Sequence, residues 1–292
     1  MIRPALRLLS LISATVCLIG LFCLQGSMAQ ARTYIPAFSA VAVDKGPVFR
    51  EGCLIYTDRI TSPPCRYGVI GSEKKVVVFG DSHALQWTPA LIAIARERGW
   101  EMTMLLRKNC SAAIVNYSAD CNRWRLNALK RIEVEKPKLV FIASNTAPNV
   151  YVMAGTKRLN RAASEPFLRQ GMFKSLMRIK KTGAAVTVMR DLPMSRDFAP
   201  SECVKENRNA PGRCSFTASR PLREAYDFAA ARRFARVQVI DPLARVCPGM
   251  LCRAVDGRIL KYRDRGHISA TYSRSLTPWL DARLQDSWAA NP

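Results

Sequence analysis

Two short segments hold residue types that together could turn a hydroxyl into a nucleophile. The first is Gly80-Asp81-Ser82-His83, which directly follows the apolar run KKVVVF, and the second is Asp264-Arg265-Gly266-His267. A serine hydroxyl is a poor nucleophile at its own pKa. It needs a base to take its proton, and an imidazole base needs an acid that fixes its tautomer and steadies its cation. An Asp and a His three apart on a turn can supply both. The sequence has only 2 histidines, His83 and His267, and each falls inside one of these segments. Taken singly, each segment also has a plainer reading. A serine after a strand often caps the next helix, and a lone histidine is often a packing residue. Asp81 reads as a brace for the turn, and no role for His83 follows from its position.

These residues can meet only if the elements around them bring them to one edge. The β-branched run Lys74–Gly80 predicts a buried strand ending in a tight turn. A helix over Ala84–Arg98 follows, then a strand from Glu101 and a polar loop holding Cys110 and Cys121. Beyond it come a helix over Trp124–Glu135, a strand over Lys138–Ser144, a helix over Glu165–Lys181 and a strand over Ala184–Met189. After an irregular insertion, the pattern predicts a helix over Pro221–Arg233, a short strand over Val237–Ile240 and a closing helix over Ser269–Leu284. Strands separated by helices of this length imply crossover connections and a mainly parallel sheet covered on both faces. The fold class expected is therefore α/β, a three-layer α/β/α sandwich. In such sheets working groups gather at the carboxyl ends of the strands, and a serine at the following helix N-terminus lies among unpaired N–H groups that can hold an oxyanion.

The first residues carry Arg3 and Arg7 and run into an unbroken apolar stretch, Leu8–Leu24, followed by small residues at Ser27, Ala29 and Ala31. Residues 1–31 are thus expected to be a signal peptide, cleaved after Ala29 or Ala31, or else an N-terminal anchor. Residues 32–72, with Pro36, Gly46 and Pro47 and no clear period, read as an extended, disulfide-bearing lead-in, and residues 73–292 as the main domain. Of 10 cysteines, Cys17 and Cys23 lie in the export segment. The rest fall as near neighbours: Cys53 with Cys65, Cys110 with Cys121, Cys203 with Cys214, and Cys247 with Cys252. Eight cysteines allow about 105 pairings, so spacing leaves the connectivity open, but neighbouring pairs would each close a short loop. An oxidising compartment follows, periplasmic or secreted, with retention at the membrane if the first segment is uncleaved. These spacings do not supply the compact Cys/His clusters of a zinc site. The net charge of +23 would suggest nucleic acid in a cytosolic chain. In an exported one, with its basic residues dispersed, it reads as a solvated basic surface attractive to anionic envelope polymers.

GDSH after a strand, DxxH before the last helix and the α/β/α order between them resemble the SGNH, or GDSL-like, hydrolase superfamily. More narrowly, the chain resembles the periplasmic SGNH domain fused to, or working beside, acyltransferase-3 membrane proteins that modify envelope polysaccharides. VVVFGDSHALQWTPAL, CNRWR, the stretch from IDPLARVC to LC, and YRDRGHISATYSRSLTPWL carry the resemblance, which spans Cys53 to Leu284. It implies an SGNH/flavodoxin-like sandwich with Ser82 as nucleophile, His267 as general base and Asp264 as its orienting acid. The family's oxyanion hole combines the nucleophile's own N–H, the N–H of a glycine after the second strand and an Asn after the third. Ala143-Ser144-Asn145-Thr146 resembles that third block with its Gly and Asp replaced, so Asn145 is a donor or simply a turn residue. No glycine follows the second strand, where Arg107-Lys108-Asn109-Cys110-Ser111 stands, although any backbone N–H could serve. The implied function is a serine O-acyltransferase or esterase that adds or removes acetyl groups on an envelope glycan through an acyl-serine. No metal, cofactor or nucleic acid is expected, and the donor-supplying partner would be a separate acyltransferase-3-like membrane protein. The rival is a catalytically silent SGNH-fold module for carbohydrate binding or scaffolding, favoured by the missing glycine and the altered third block and opposed by the intact Ser, His and Asp.

Overall fold

A computed structural model of the chain describes residues 33–56, 58–147, 150–218 and 225–289. The export segment expected over residues 1–31 lies outside the described residues. Among those described, no helix is long and apolar enough to cross a membrane.

The architecture is the expected three-layer sandwich on a 7-stranded sheet. Its strands are β1 (Leu54–Ile55), β2 (Arg66–Gly68), β3 (Lys75–Gly80), β4 (Glu101–Arg107), β5 (Leu139–Ala143), β6 (Ala185–Met189) and β7 (Val237–Ile240). They run in the order β1-β4-β3-β5-β6-β7, all parallel, while β2 pairs antiparallel with the first half of β4. The side-chain alternation of β3 shows why its apolar run is continuous. Val76 and Val78 pack with Trp87, Leu91, Ile94 and Leu280 on one face, and Val77 and Phe79 with Trp124, Leu129, Leu176 and Ile179 on the other.

The helices that cover these faces are α1 (Ser82–Leu85), α2 (Thr88–Glu97), α3 (Ala119–Glu135), α4 (Arg161–Lys180), α5 (Tyr226–Ala231), α6 (Ala270–Ser275) and α7 (Thr277–Ala289). Two expected continuous helices are broken. The one over Ala84–Arg98 divides into α1 and α2, and the one over Ser269–Leu284 into α6 and α7. Pro89 and Pro278 sit just inside the second helix of each pair, where a missing N–H costs nothing and the chain can restart. The expected Pro221–Arg233 helix is described only from Tyr226, since residues 219–224 lie outside the described set.

The described part of the lead-in over residues 32–72 carries short elements between extended stretches. It forms short helices at Phe38–Val41 and Pro47–Arg50 and supplies β1 and β2 to the main sheet. Leu54 and Ile55 are buried against β4, and the Cys53–Cys65 disulfide joins the two strands. Elements of two to four residues carry no readable period, and β1 and β2 form because β4 offers an edge to pair with.

All four disulfides join neighbours: Cys53–Cys65, Cys110–Cys121, Cys203–Cys214 and Cys247–Cys252. Alkylation of the undenatured, periplasmically expressed protein should therefore label none of these eight cysteines, and labelling of more than two would contradict the pairing. Each of the three longer loops is expected to add on the order of 3 kcal/mol in the chain-entropy account.

Register decides where the chemistry can sit. Gly80, at the end of β3, lies between Leu106 of β4 and Ala143 of β5, so the segments after all three strands emerge side by side. A Cβ on Gly80 would come within 1.9 Å of the Ala143 carbonyl oxygen. Only glycine allows that approach.

Candidate active site

Ser82 is the first residue of α1, and Asp81 is its N-cap. The Asp81 carboxylate accepts the His83 N–H at 2.8 Å and, with its other oxygen, the Asn145 N–H at 2.9 Å. Asp81 thus braces the turn, as expected, and also fixes the segment after β5. Among the described residues nothing accepts the Ser82 N–H, which remains available at the helix N-terminus.

The Asp264–His267 segment is a tight loop closed by the Tyr262–Ile268 bridge. Asp264 Oδ1 accepts the N–H groups of Gly266 and His267 at 2.9 and 2.8 Å. That local turn explains the Asp-x-x-His spacing, because the carboxylate that caps the turn is left against the imidazole of the fourth residue. His267 Nδ1 lies 2.9 Å from Asp264 Oδ2, and its Nε2 lies 3.0 Å from Ser82 Oγ. The Ile268 N–H donates to Gln86 Oε1 at 3.0 Å, which ties this loop to the turn after α1. Ser82 and His267, 185 residues apart, are therefore brought together with Asp264 in one hydrogen-bonded line.

The charges follow from the surroundings. Burial acts to raise the Asp264 pKa, but the hydrogen bond to His267, the Gly266 N–H and the Arg263 guanidinium outweigh it and hold this carboxyl well below its usual range. His267 is pushed below the ordinary histidine value, first by burial and further by His83 and Arg263, against the opposing hydrogen bond to Asp264. Near neutrality the pair is a carboxylate and a neutral imidazole, the state in which Nε2 can accept a proton.

Beside Ser82, Asn109 has φ 56°. That left-handed conformation is glycine territory, and Asn is among the few other residues that enter it readily. Asn109 thus gives the loop after β4 a residue in the conformation a glycine would take, and its N–H has no acceptor among the described residues. The loop that carries it is held by the Cys110–Cys121 disulfide and by Arg125, buried in CNRWR, which donates to the carbonyls of Ser111 and Val115, each at 2.9 Å. Asn145 uses Oδ1 to accept the Ala147 N–H at 2.8 Å. This fixes the orientation of the amide and leaves Nδ2 as the group turned away from that bond, with no partner among the described residues.

Two cavities adjoin at Asn109. One of about 200 Å³ is lined by Ser82, His267, Phe49, Tyr56, Lys45 and Lys108 among others, and one of about 250 Å³ by Asp81, Ser111, Asn145, Tyr117 and Tyr151.

Sequence reasoning missed Asp191. It follows β6, and its Oδ1 lies 2.6 Å from His83 Nδ1 while Oδ2 accepts the Thr146 N–H at 2.8 Å. Its only signal was its place at the carboxyl end of a predicted strand. It also missed Asn109, whose signal was an asparagine in the loop where a glycine was sought.

The sequence profile of the SGNH domain (fused to AT3 domains) matches residues 52–282. Among solved structures, the periplasmic domain of a lipopolysaccharide acetyltransferase from Salmonella ser. Paratyphi A superposes with a TM-score of 0.56 at 13% identity, covering 82% of this chain and 88% of that one. A GDSL-like lipase from Bacteroides thetaiotaomicron gives 0.43 at 13% identity, covering 75% and 89%. At 13% identity the likeness to the acetyltransferase domain concerns fold alone. No curated protein matches the chain by sequence. With more than three quarters of its length matched and its fold shared, the chain belongs to the family of SGNH domains described as fused to AT3 domains.

Proposed function

We propose that the protein is an exported serine O-acyltransferase or esterase acting on acyl groups of a cell-envelope polysaccharide. The observation that carries this reading is the line from Asp264 through His267 to Ser82 Oγ, at hydrogen-bond distance throughout. Ser82 Oγ attacks the acyl carbonyl while His267 Nε2 takes its proton, and Asp264 steadies the imidazolium. The N–H groups of Ser82 and Asn109 and the Asn145 amide receive the oxyanion. His267 then returns the proton to the departing alcohol, leaving acyl-Ser82. An acceptor hydroxyl gives its proton to His267 and attacks the acyl carbonyl, and His267 passes that proton to the departing Ser82 Oγ, restoring the free enzyme. Water as acceptor makes an esterase, and a sugar hydroxyl makes a transferase.

The cavity beside His267 supports a glycan as the acceptor. Phe49 and Tyr56 line it, with Lys45 Nζ over the Phe49 ring at 4.2 Å from its centre and Lys108 Nζ over that of Tyr56 at 5.3 Å. Such surfaces suit the mixed apolar and polar faces of a sugar ring. Four disulfides support an oxidising compartment, and the family's fusion to AT3 domains supports an AT3-type membrane protein as the source of the acyl group. The silent-module reading rests on the missing glycine and on the altered block after β5; Asn109 in the left-handed region weakens the first of these.

The test is to trap the intermediate. Brief exposure to p-nitrophenyl acetate followed by acid quench and peptide mass mapping should find an acetyl group on Ser82, with none in Ser82→Ala. Acetylation elsewhere, with turnover retained in Ser82→Ala, would sink the reading.

A further inference from the structure

His83 is buried directly behind His267. The two rings face each other at 4.5 Å between centres, tilted by 48°. Each imidazole has its own carboxylate, Asp191 for His83 and Asp264 for His267. Two imidazolium ions at this separation, largely out of water, repel strongly, so at rest the pair holds a single proton. The surroundings decide which ring keeps it. The side chains of His83 and Asp191 are only 3% and 2% exposed, whereas those of His267 and Asp264 are 21% and 47% exposed. Asp191 is also locked: its Oδ1 accepts the Leu192 N–H at 2.8 Å, and its Oδ2 the Thr146 N–H. It cannot turn away from His83.

We propose that the buried His83–Asp191 pair is a positioning device, a fixed positive charge behind His267 that keeps this imidazole neutral, with Nε2 directed at Ser82. The inference rests on the reading of His267 as general base. The charged groups facing the two rings come from every neighbouring element: Asp81 at the start of α1, Asp191 after β6, and Arg263 and Asp264 from the loop before α6. Their balance agrees with the geometry. Burial opposes a charge on His83, but Asp191 by charge and hydrogen bond, and Asp81 by charge, override it and the opposing Arg263, pushing the His83 pKa up to about 9. The same charge helps to hold His267 below its usual value. The consequence is a serine site that keeps its base free in mildly acidic surroundings, at the expense of some base strength. It also gives the fourth residue of the GDSH segment a use.

With two histidines in the whole chain, imidazole NMR reads each one separately, and His267→Gln assigns the signals. Expected at pH 7 are a doubly protonated His83 and a neutral His267, the latter titrating below about 6.5. In His83→Gln the His267 midpoint should rise by roughly one unit, and the acidic limb of kcat/KM should rise with it. A neutral His83 at pH 7 in the unmodified protein overturns the proposal without any variant, as does an unmoved His267 midpoint in folded His83→Gln. The NMR readout needs no turnover. Activity surviving in Ser82→Ala would therefore defeat the nucleophile assignment alone, and an unmoved midpoint beside a dead Ser82→Ala would defeat this inference alone.

Discussion

Ser82→Ala and His267→Ala are each expected to lower the turnover of p-nitrophenyl acetate by at least about 10⁴-fold, and the double variant by scarcely more. Non-addition is the informative part. Nε2 of His267 touches the hydroxyl it must deprotonate, so without either partner there is nothing left for the other to do. Asp264→Asn is expected to be severe for a reason legible in the turn. The Oδ1 position accepts the backbone N–H groups of Gly266 and His267, and an asparagine would keep its carbonyl there. Its NH₂ would then face His267 Nδ1, drawing a lone pair to that atom and the proton to Nε2, the wrong tautomer for a base. His83→Gln removes a positioning group and not the base, so it should shift the acidic limb while losing far less rate than His267→Ala. A dead His83→Gln beside a near-normal His267→Ala would reverse the assignment. The pH profile gives a second check. A neutral imidazole must accept the proton, so kcat/KM is present above the His267 pKa and falls as pH drops through it, below the ordinary value of about 6.5. A limb at or above that value would contradict the electrostatic reading of the site.

What the sequence made legible and what it hid divide along physical lines. The strands β3, β4, β5 and β6 stand out because strands buried on both faces must be apolar throughout, as Val76 to Phe79 are. Ser82 and His267 stand out because catalysis by an activated hydroxyl demands particular residue types, and histidine is scarce here. The short strands β1 and β2 carry no such mark, since two or three residues have no period and Leu54 and Ile55 owe their conformation to the β4 edge. Asp191 was hidden for another reason. Its partner is 108 residues away, and an acid after a strand is ordinary until the tertiary structure places His83 against it. Asn109 was passed over because a glycine was sought by type, while the backbone requires only a residue that tolerates a positive φ.

That distinction sets the second large effect. If Asn109 contributes through its N–H and its conformation, Asn109→Gly should keep turnover within a few-fold of the parent. Asn109→Val, β-branched and strained at positive φ, should lose far more. On the proposed mechanism Asn145 contributes through its side chain, so Asn145→Ala should lower kcat by about 10²- to 10³-fold, the usual loss for one oxyanion donor. The competing reading makes Asn145 a turn residue, because Oδ1 accepts the Ala147 N–H, and predicts lost stability with little change in rate. Asn145→Asp separates the two. An aspartate keeps an oxygen for Ala147 and so keeps the turn, but it replaces the donor with a negative charge where the oxyanion must form. Its melting temperature should stay near that of the parent while its kcat falls at least as far as that of the alanine variant. A variant that melts early yet turns over normally would return Asn145 to the turn, leaving the oxyanion to the backbone N–H groups of Ser82 and Asn109.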